Sequence, residues 1–288
     1  MRPFEFVKPD SEASAIELLG KLSPNVRILA GGTDYLVDLK HTADVPKTVM
    51  DISRLPELKG IDEVDDGLRI GAGVTHTEIM QNPLIKKYAP AMIHAAHTIG
   101  AVQTRNLGTI GGNLVTCVPS MDSGPTLVAL DAEVNIVGKD GARRISLTDL
   151  FVGPRKTSLK SNELLTEIII PKSSLGKPAN FYKFGLRKGQ ALALVNAASS
   201  LWVKGGCFKD LRISIGAVAP VVIRCLKAEK YLEGKKIDEK LVQEAGKIAV
   251  TEAKPIDDFR ASQSYRNDLI AVLVTRTINA AIDLADKD

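Results

Sequence analysis

The N-terminal part of the chain alternates between helical and extended hydrophobic patterns. Apolar residues recur at helical spacing after Pro9, and the short apolar run at 27–29 is typical of a strand. This run ends in a glycine pair, after which the pattern predicts a helix over about 34–40 and a returning strand at 48–52. The chain therefore begins with a compact unit of strand, glycine loop and helix.

The middle of the chain combines further strands with helical stretches. Thr75 and Glu78 have the spacing of a capping box, in which each side chain bonds the backbone amide of the other residue, so a helix is expected to start there. A single longer helix is predicted over about 84–99, leading into Gly100 and a second glycine pair. Strands are predicted at 68–73, 131–137 and 164–170.

The C-terminal part has a different order of elements. The segment 173–178, which contains serine, glycine and proline, is the best linker candidate and predicts a domain boundary. Three strand-like runs with short connections follow, and they indicate an antiparallel sheet at 181–186, 194–203 and 211–218. Helices then dominate, at 223–232, 239–250 and 265–284.

Composition narrows the classes of function. The 288 residues include 38 Lys and Arg against 34 Asp and Glu, and the basic residues are dispersed, so nucleic acid is a poor candidate ligand. Three cysteines without C-x-x-C spacing favour a reducing compartment and argue against a disulfide framework. The N-terminus lacks the apolar core of a signal peptide, and no apolar stretch is long enough for a bilayer, so a cytoplasmic protein without membrane insertion is expected.

Two glycine loops carry the candidate chemistry. One is Gly31-Gly32-Thr33-Asp34 and the other is Gly111-Gly112-Asn113. Paired glycines let a backbone curl its N–H groups around an anion and let phosphate oxygens approach closely, so two such loops suit a pyrophosphate. Neither loop is a G-x-G-x-x-G fingerprint or a P-loop. Taken alone, each loop is as readily interpreted as a tight turn that needs glycine.

The ordered motifs of the chain resemble those of a known family. The chain is similar along nearly its whole length to the FAD-binding medium subunits of molybdenum hydroxylases, a group that includes the xanthine dehydrogenase and carbon monoxide dehydrogenase medium subunits. The segments that carry this resemblance are Leu29-Ala30-Gly31-Gly32-Thr33-Asp34, the run from Gln103 to Asn113, Pro119-Ser120-Met121-Asp122, Leu130-Asp131-Ala132-Glu133-Val134, Phe151-Val152-Gly153-Pro154-Arg155-Lys156-Thr157, the run from Phe181 to Arg187, and Ser264-Tyr265-Arg266.

The resemblance implies an α+β fold. Its first part is a two-lobed α/β FAD-binding domain of the vanillyl-alcohol-oxidase (PCMH) type, with lobes at 1–55 and 56–175. Its second part, 176–288, is a C-terminal domain of antiparallel sheet and helices. The segmentation by hydrophobic pattern agrees with this plan.

The resemblance also implies which residues contact the cofactor. The backbone amides of 30–33 and the Thr33 hydroxyl are expected on the pyrophosphate, and Asp122 on the nucleotide half. From the residues alone, Asp122 is equally well interpreted as the N-cap of a helix over 123–129, and Lys183 as a solvated strand lysine. The positions that the resemblance assigns to FAD binding are Arg27, Ile28, Leu29, Ala30, Gly31, Gly32, Thr33, Asp34, Tyr35, Ile99, Gly100, Thr109, Gly112, Asn113, Asp122, Leu164 and Lys183.

The implied function is electron transfer. The chain would take electrons from [2Fe–2S] clusters of a small partner subunit, in a complex with a large molybdopterin subunit, and pass them from FAD to an acceptor such as NAD. No catalytic side chain is expected in this chain, because it contains no Ser-His-Asp or paired-carboxylate arrangement. No metal site is expected either, because His94 and His97, three positions apart on a predicted helix, have no carboxylate or cysteine nearby. Two alternatives stay open: a stand-alone FAD-dependent oxidase or dehydrogenase, and a non-catalytic scaffold that has lost FAD.

Overall fold

The first structural layer is a small parallel sheet with one helix on each connection. The computed structural model describes residues 3–41 and 46–285. Strands β1 (Glu5–Val7), β2 (Val26–Leu29) and β3 (Thr48–Asp51) form a parallel sheet in the order β1-β3-β2. Helix α1 (Glu12–Leu22) joins the first two strands, and helix α2 (Tyr35–His41) follows the second. The predicted unit of strand, glycine loop and helix is thus present.

The second layer is a larger antiparallel sheet flanked by short helices. The elements in chain order are β4 (Ile61–Val64), β5 (Gly67–Gly71), α3 (His76–Gln81), α4 (Pro83–Tyr88), α5 (Ala91–His97), α6 (Val102–Leu107), α7 (Ile110–Thr116), α8 (Ser123–Ala129), β6 (Glu133–Gly138), β7 (Gly141–Ser146), α9 (Leu147–Leu150), β8 (Phe151–Gly153), β9 (Lys156–Thr157) and β10 (Glu163–Pro171). The sheet has the order β4-β5-β10-β6-β7, and β8 and β9 pair separately. Thr75 caps α3, with Glu78 completing the predicted capping box.

One element prediction in this layer is wrong. The stretch 84–99 forms the two helices α4 and α5 instead of one long helix. Ala89, directly before Pro90, leaves the helical conformation with ψ 53°. The ring of a proline clashes with a helical residue before it, and a proline nitrogen donates no hydrogen bond, so the helix breaks there.

The third layer is the antiparallel sheet expected near the C-terminus, with helices packed on it. Its strands pair in sequential order. Residues 223–224 form the edge strand, so the first helix of this layer begins later than predicted. The elements are β11 (Ala179–Gly185), β12 (Ala193–Lys204), β13 (Cys207–Gly216), β14 (Ile223–Arg224), α10 (Leu226–Leu232), α11 (Glu239–Glu252) and α12 (Gln263–Ala285).

The C-terminal sheet packs closely against the helices that precede it. Ala95 and Ala129 on α5 and α8 share a small apolar cluster with Phe181 and Ala198 on β11 and β12. The segment predicted as a linker is also packed, since Lys177 is buried and its ammonium lies 2.9 Å from a carboxylate oxygen of Asp210. Because β11 and β12 contact α5 and α8 directly, Lys183 on β11 reaches Thr98 at the end of α5 and Asp122 at the start of α8.

Within the described residues, no helix combines the length and the apolar character that crossing a membrane requires.

Candidate functional site

A cavity of about 430 Å³ lies where the three layers meet. The first glycine loop forms one wall. The prediction of a second glycine loop is wrong, because Thr109 caps a helix there and Gly111, Gly112 and Asn113 lie in the first turns of α7. Their amides already donate to Ala72 or Thr109, and the start of this helix forms another wall. The third wall is the loop between β11 and β12, through Gln190, Ala191 and Leu192. Segments far apart in sequence therefore enclose one space.

At two glycines, the absence of a side chain lets segments that line the cavity approach one another. A Cβ on Gly31 would lie 1.9 Å from the backbone oxygen of Leu107, and a Cβ on Gly111 would lie 2.6 Å from the Cβ of Ala72. Both are distances that real atoms do not reach, so only glycine fits at either position. The first contact packs the first glycine loop against the segment that leads into α7, and the second packs α7 against the residue that follows β5.

The first glycine loop presents unused backbone donors. Within the described chain, no backbone carbonyl accepts a hydrogen bond from the amides of Gly31, Gly32 or Thr33. Gly32 has φ +71°, a left-handed conformation that glycine adopts without strain. Successive amides in such a turn make an anion-binding concavity. The loop therefore has the chemistry to hold a phosphate group.

Most of the residues predicted to bind the cofactor meet at this cavity. Arg27 and Leu29 are exceptions: side chains alternate along a strand, so they lie on the opposite face from Ile28. Lys183 is the third predicted residue that does not line the cavity. The predicted residues that line it are Ile28, Ala30, Gly31, Gly32, Thr33, Asp34, Tyr35, Ile99, Gly100, Thr109, Gly112, Asn113, Asp122 and Leu164.

Asp122 lies on the cavity wall as part of a buried ion pair. It is 5% exposed, and its carboxylate accepts hydrogen bonds from Lys183 Nζ at 2.5 Å and Asn196 Nδ2 at 2.9 Å. Burial raises the pKa of the Asp122 carboxyl, and the Lys183 ammonium opposes that rise. A carboxylate held in this way can still accept hydrogen bonds from a ligand in the cavity.

Two alternative interpretations from the sequence are wrong here. Asp122 precedes helix α8, but its side chain makes no capping hydrogen bond. Lys183 is not a solvated strand lysine, since its side chain is 8% exposed and its ammonium also donates to the carbonyl oxygen of Thr98 at 3.0 Å. The lysine contacts the carboxylate instead of the cavity.

His76 is a cavity residue that the sequence did not reveal. It is the first residue of α3 and is 2% exposed, and its Nδ1 has no hydrogen-bond partner among the described residues. Burial lowers its pKa to about 4, with a smaller contribution from the nearby Arg105. In the sequence this residue lies inside the capping box, where the pattern indicates only the start of a helix.

The burial of His76 makes stability depend on pH in a defined window. An unfolded histidine titrates near 6.5, whereas folded His76 titrates at about 4, so the unfolded chain binds the extra proton between these values. The free energy of unfolding should therefore fall by roughly 3 kcal/mol from this group as the pH drops from about 6.5 to about 4. Urea unfolding across this range measures it.

Two variants isolate this contribution. His76→Leu should lose less stability than the natural protein over the same pH range, because it lacks the imidazole whose pKa differs between the folded and unfolded chain. The carboxylates contribute equally in both proteins, so their effect cancels in the difference. His94 is exposed on α5, so His94→Leu is the matched control and should retain the full pH dependence. Equal pH dependence in His76→Leu and the natural protein would contradict the assignment.

Gln190 is a second cavity residue without a sequence signal. It lies in the loop between β11 and β12, and its backbone amide donates to the carbonyl oxygen of Gly100 at 3.2 Å. Tyr35, which the resemblance assigned to the site, has a buried hydroxyl with no hydrogen-bond partner among the described residues, and burial raises the pKa of this phenol. With the free amides, apolar walls and a buried carboxylate, the cavity fits a ligand that combines phosphates, hydroxyls and a planar apolar ring.

Comparison with known families covers both parts of the chain. A family model described as FAD binding domain in molybdopterin dehydrogenase matches residues 2–173. A second, described as CO dehydrogenase flavoprotein C-terminal domain, matches residues 180–281. The chain is also similar to the putative xanthine dehydrogenase FAD-binding subunit of Escherichia coli K12, with 31% identity over 277 residues, which cover 95% of this chain and 94% of that protein.

Two further relatives agree with this. The glyceraldehyde dehydrogenase medium chain of Sulfolobus acidocaldarius is 32% identical over 273 residues, which cover 95% of this chain and 96% of that one. A chain of carbon monoxide dehydrogenase from Hydrogenophaga pseudoflava superimposes with a TM-score of 0.94 at 31% identity, covering 99% of both chains. The expected α+β fold, an FAD-binding domain followed by a C-terminal domain, is confirmed.

Proposed function

This chain belongs to the FAD-binding medium subunits of the xanthine and carbon monoxide dehydrogenase family, and we propose that it transfers electrons between a partner subunit and an external acceptor. Its cofactor is FAD. When bound, FAD supplies a carrier that takes up electrons singly and releases them as a pair. The observation that carries the proposal is the meeting of the Gly31–Thr33 amides and Asp122 in one cavity.

The residues of this chain hold and orient the cofactor. The backbone amides of Gly31, Gly32 and Thr33 would donate hydrogen bonds to the pyrophosphate oxygens. Such donors stabilise the negative charge of the phosphates without a lysine. Asp122 would accept hydrogen bonds from hydroxyl groups of the nucleotide half. The Tyr35 hydroxyl, which has no partner within 3–41 and 46–285, and the His76 ring are further buried polar groups on the same walls.

Two of the carboxylates on the cavity wall are held in ion pairs. Asp122 is tied to Lys183, and Glu163 to Arg143 at 2.8 Å, where the Arg143 guanidinium holds the pKa of Glu163 below its ordinary value. A third, Asp34, is in none of the ion pairs among the described residues, and burial raises its pKa. The preference for a subunit that relays electrons over the stand-alone oxidase therefore rests on the relatives, which are named as medium chains or FAD-binding subunits.

The proposed partners follow from the family. Relatives are named as medium chains or FAD-binding subunits of dehydrogenases that act on unlike molecules, such as xanthine, glyceraldehyde and carbon monoxide. We therefore assign substrate oxidation to a large molybdopterin subunit, the electron donor to [2Fe–2S] clusters of a small subunit, and the acceptor to NAD. The three cysteines are all free, which supports a cytoplasmic location.

Anaerobic addition of NADH to the natively purified complex tests this proposal. Since electron transfer is reversible, NADH should bleach the flavin absorbance and produce the paramagnetic resonance signal of reduced [2Fe–2S] clusters. Flavin that stays oxidised with NADH but is reduced by dithionite would overturn NAD as the acceptor. Purification of a yellow chain with no iron–sulfur partner, which oxidises an organic substrate alone, would overturn the subunit assignment in favour of the stand-alone enzyme.

A further inference from the structure

Asn196 contacts the cavity wall from the C-terminal sheet. It lies on β12 with no exposed surface, and its Nδ2 donates to the carbonyl oxygen of Met121 at 3.0 Å and to Asp122 Oδ1 at 2.9 Å. Both acceptors require the nitrogen on this side, so the amide has one orientation. Asn196 does not itself line the cavity, so it acts on that space only through its neighbours.

Asn196 lies beside Lys183 in the C-terminal sheet. The two residues are paired across β11 and β12, and paired residues of neighbouring strands project to the same face. Lys183 bonds Oδ2 of Asp122 while Asn196 bonds Oδ1. The two strands thus supply one hydrogen-bond donor to each oxygen of the Asp122 carboxylate.

The other neighbouring strand leaves room for this arrangement. Gly216 on β13 is the cross-strand partner of Asn196 on its second side. A Cβ on Gly216 would lie 2.4 Å from Asn196 Oδ1. The amide therefore fits only because the facing residue is glycine.

Two donors constrain the carboxylate in a way that one cannot. The bond between Cβ and the carboxyl group of an aspartate rotates in a broad, shallow well, so a single ion pair leaves the plane of the group free to turn. A donor on each oxygen fixes that plane. Of the roughly four acceptor sites of the carboxylate, the sheet then uses two, one on each oxygen.

We propose that Asn196 is a positioning residue of the FAD site, which orients the Asp122 carboxylate for the nucleotide half of the cofactor. The proposal rests on the binding of FAD in this cavity. It also means that the site extends beyond the matched FAD-binding domain, which ends at residue 173. Affinity for the cofactor then depends on the docking of the C-terminal sheet.

Titration of the cofactor-depleted chain with FAD, combined with urea unfolding without FAD, tests this role. Asn196→Leu removes both donors at similar volume and should weaken FAD binding about 10- to 100-fold, the range for losing a hydrogen bond to a charged group. Ser199→Ala is the matched control, because Ser199 is equally buried on β12 but bonds Thr277, away from the cavity. The control should bind FAD with unchanged affinity.

A double-mutant cycle separates positioning from general damage. If Asn196 acts through Asp122, Asn196→Leu should have no further effect on FAD affinity in an Asp122→Asn background. Gly216→Ala offers a second route, since its Cβ would displace the amide and should weaken FAD binding in the same way.

The outcomes distinguish this inference from the proposed function. Failure of the natural chain to bind FAD would overturn the function itself. Tight binding by the natural chain together with equal affinity in Asn196→Leu, or an equal loss in Ser199→Ala, would overturn the role of Asn196. An undiminished effect of Asn196→Leu in the Asp122→Asn background would do the same.

Discussion

Gly31→Ala is expected to abolish FAD binding. The new Cβ would lie 1.9 Å from the Leu107 oxygen and 2.9 Å from the Gly108 Cα, both backbone atoms that cannot rotate away. The first glycine loop or the segment 107–108 must then move, and losing even two amide bonds to a phosphate lowers affinity about 100-fold or more. Overpacking of this kind should also lower the free energy of unfolding by about 1–3 kcal/mol.

Gly153→Ala is the matched control for this substitution. Gly153 lies at the end of β8, does not line the cavity, and has no atom within 4 Å of the position that a Cβ would occupy. Its affinity for FAD and its unfolding in urea should match the natural protein. Wild-type FAD affinity in Gly31→Ala would show that the close approach of the first glycine loop to Leu107 does not shape the FAD site.

Lys183→Met is expected to cause the largest loss of stability. The ammonium and the Asp122 carboxylate are both buried, with exposed fractions of 8% and 5%. Removing one partner leaves an uncompensated buried charge, which costs about 3–5 kcal/mol in the free energy of unfolding. Urea unfolding of the cofactor-free chain measures this directly.

A double variant separates stability from cofactor binding. Lys183→Met combined with Asp122→Leu removes both charges, so it should recover much of the lost stability while still binding FAD poorly. Lys247→Met is the control, because its ion pair with Glu244 is exposed and should contribute less than about 1 kcal/mol. A loss in Lys183→Met no larger than in this control would contradict the buried pair.

Local sequence patterns predict the helices and strands whose formation depends on residues close together in the chain. The strand and helix around the first glycine loop, the capping box at Thr75 and the C-terminal antiparallel sheet all follow from spacing within a few residues. The stretch 84–99 differs, because its apolar period favours one helix while Pro90 breaks the helical conformation at Ala89. Here too the deciding signal was local and present in the sequence.

The parts that the sequence could not supply depend on contacts between distant segments. Asn196 lies 74 positions from Asp122, and nothing near it in the sequence indicates that its amide meets a carboxylate. No local pattern indicates that Gln190 lines the cavity or that Lys183 is buried, because the sequence around Lys183 is that of a solvated strand lysine. The two glycine pairs are conspicuous in the sequence, although only the first forms a loop. A residue such as Asn196, which orients a neighbouring side chain, has no comparable local signal.

The absorption spectrum of the natively purified chain, followed by heat release and mass identification of any cofactor, tests the central claim most directly. The cavity with its free amides and its buried Asp122 predicts flavin bands and the release of intact FAD in stoichiometric amount. A colourless protein that also fails to take up added FAD would contradict the assignment of this cavity to the cofactor.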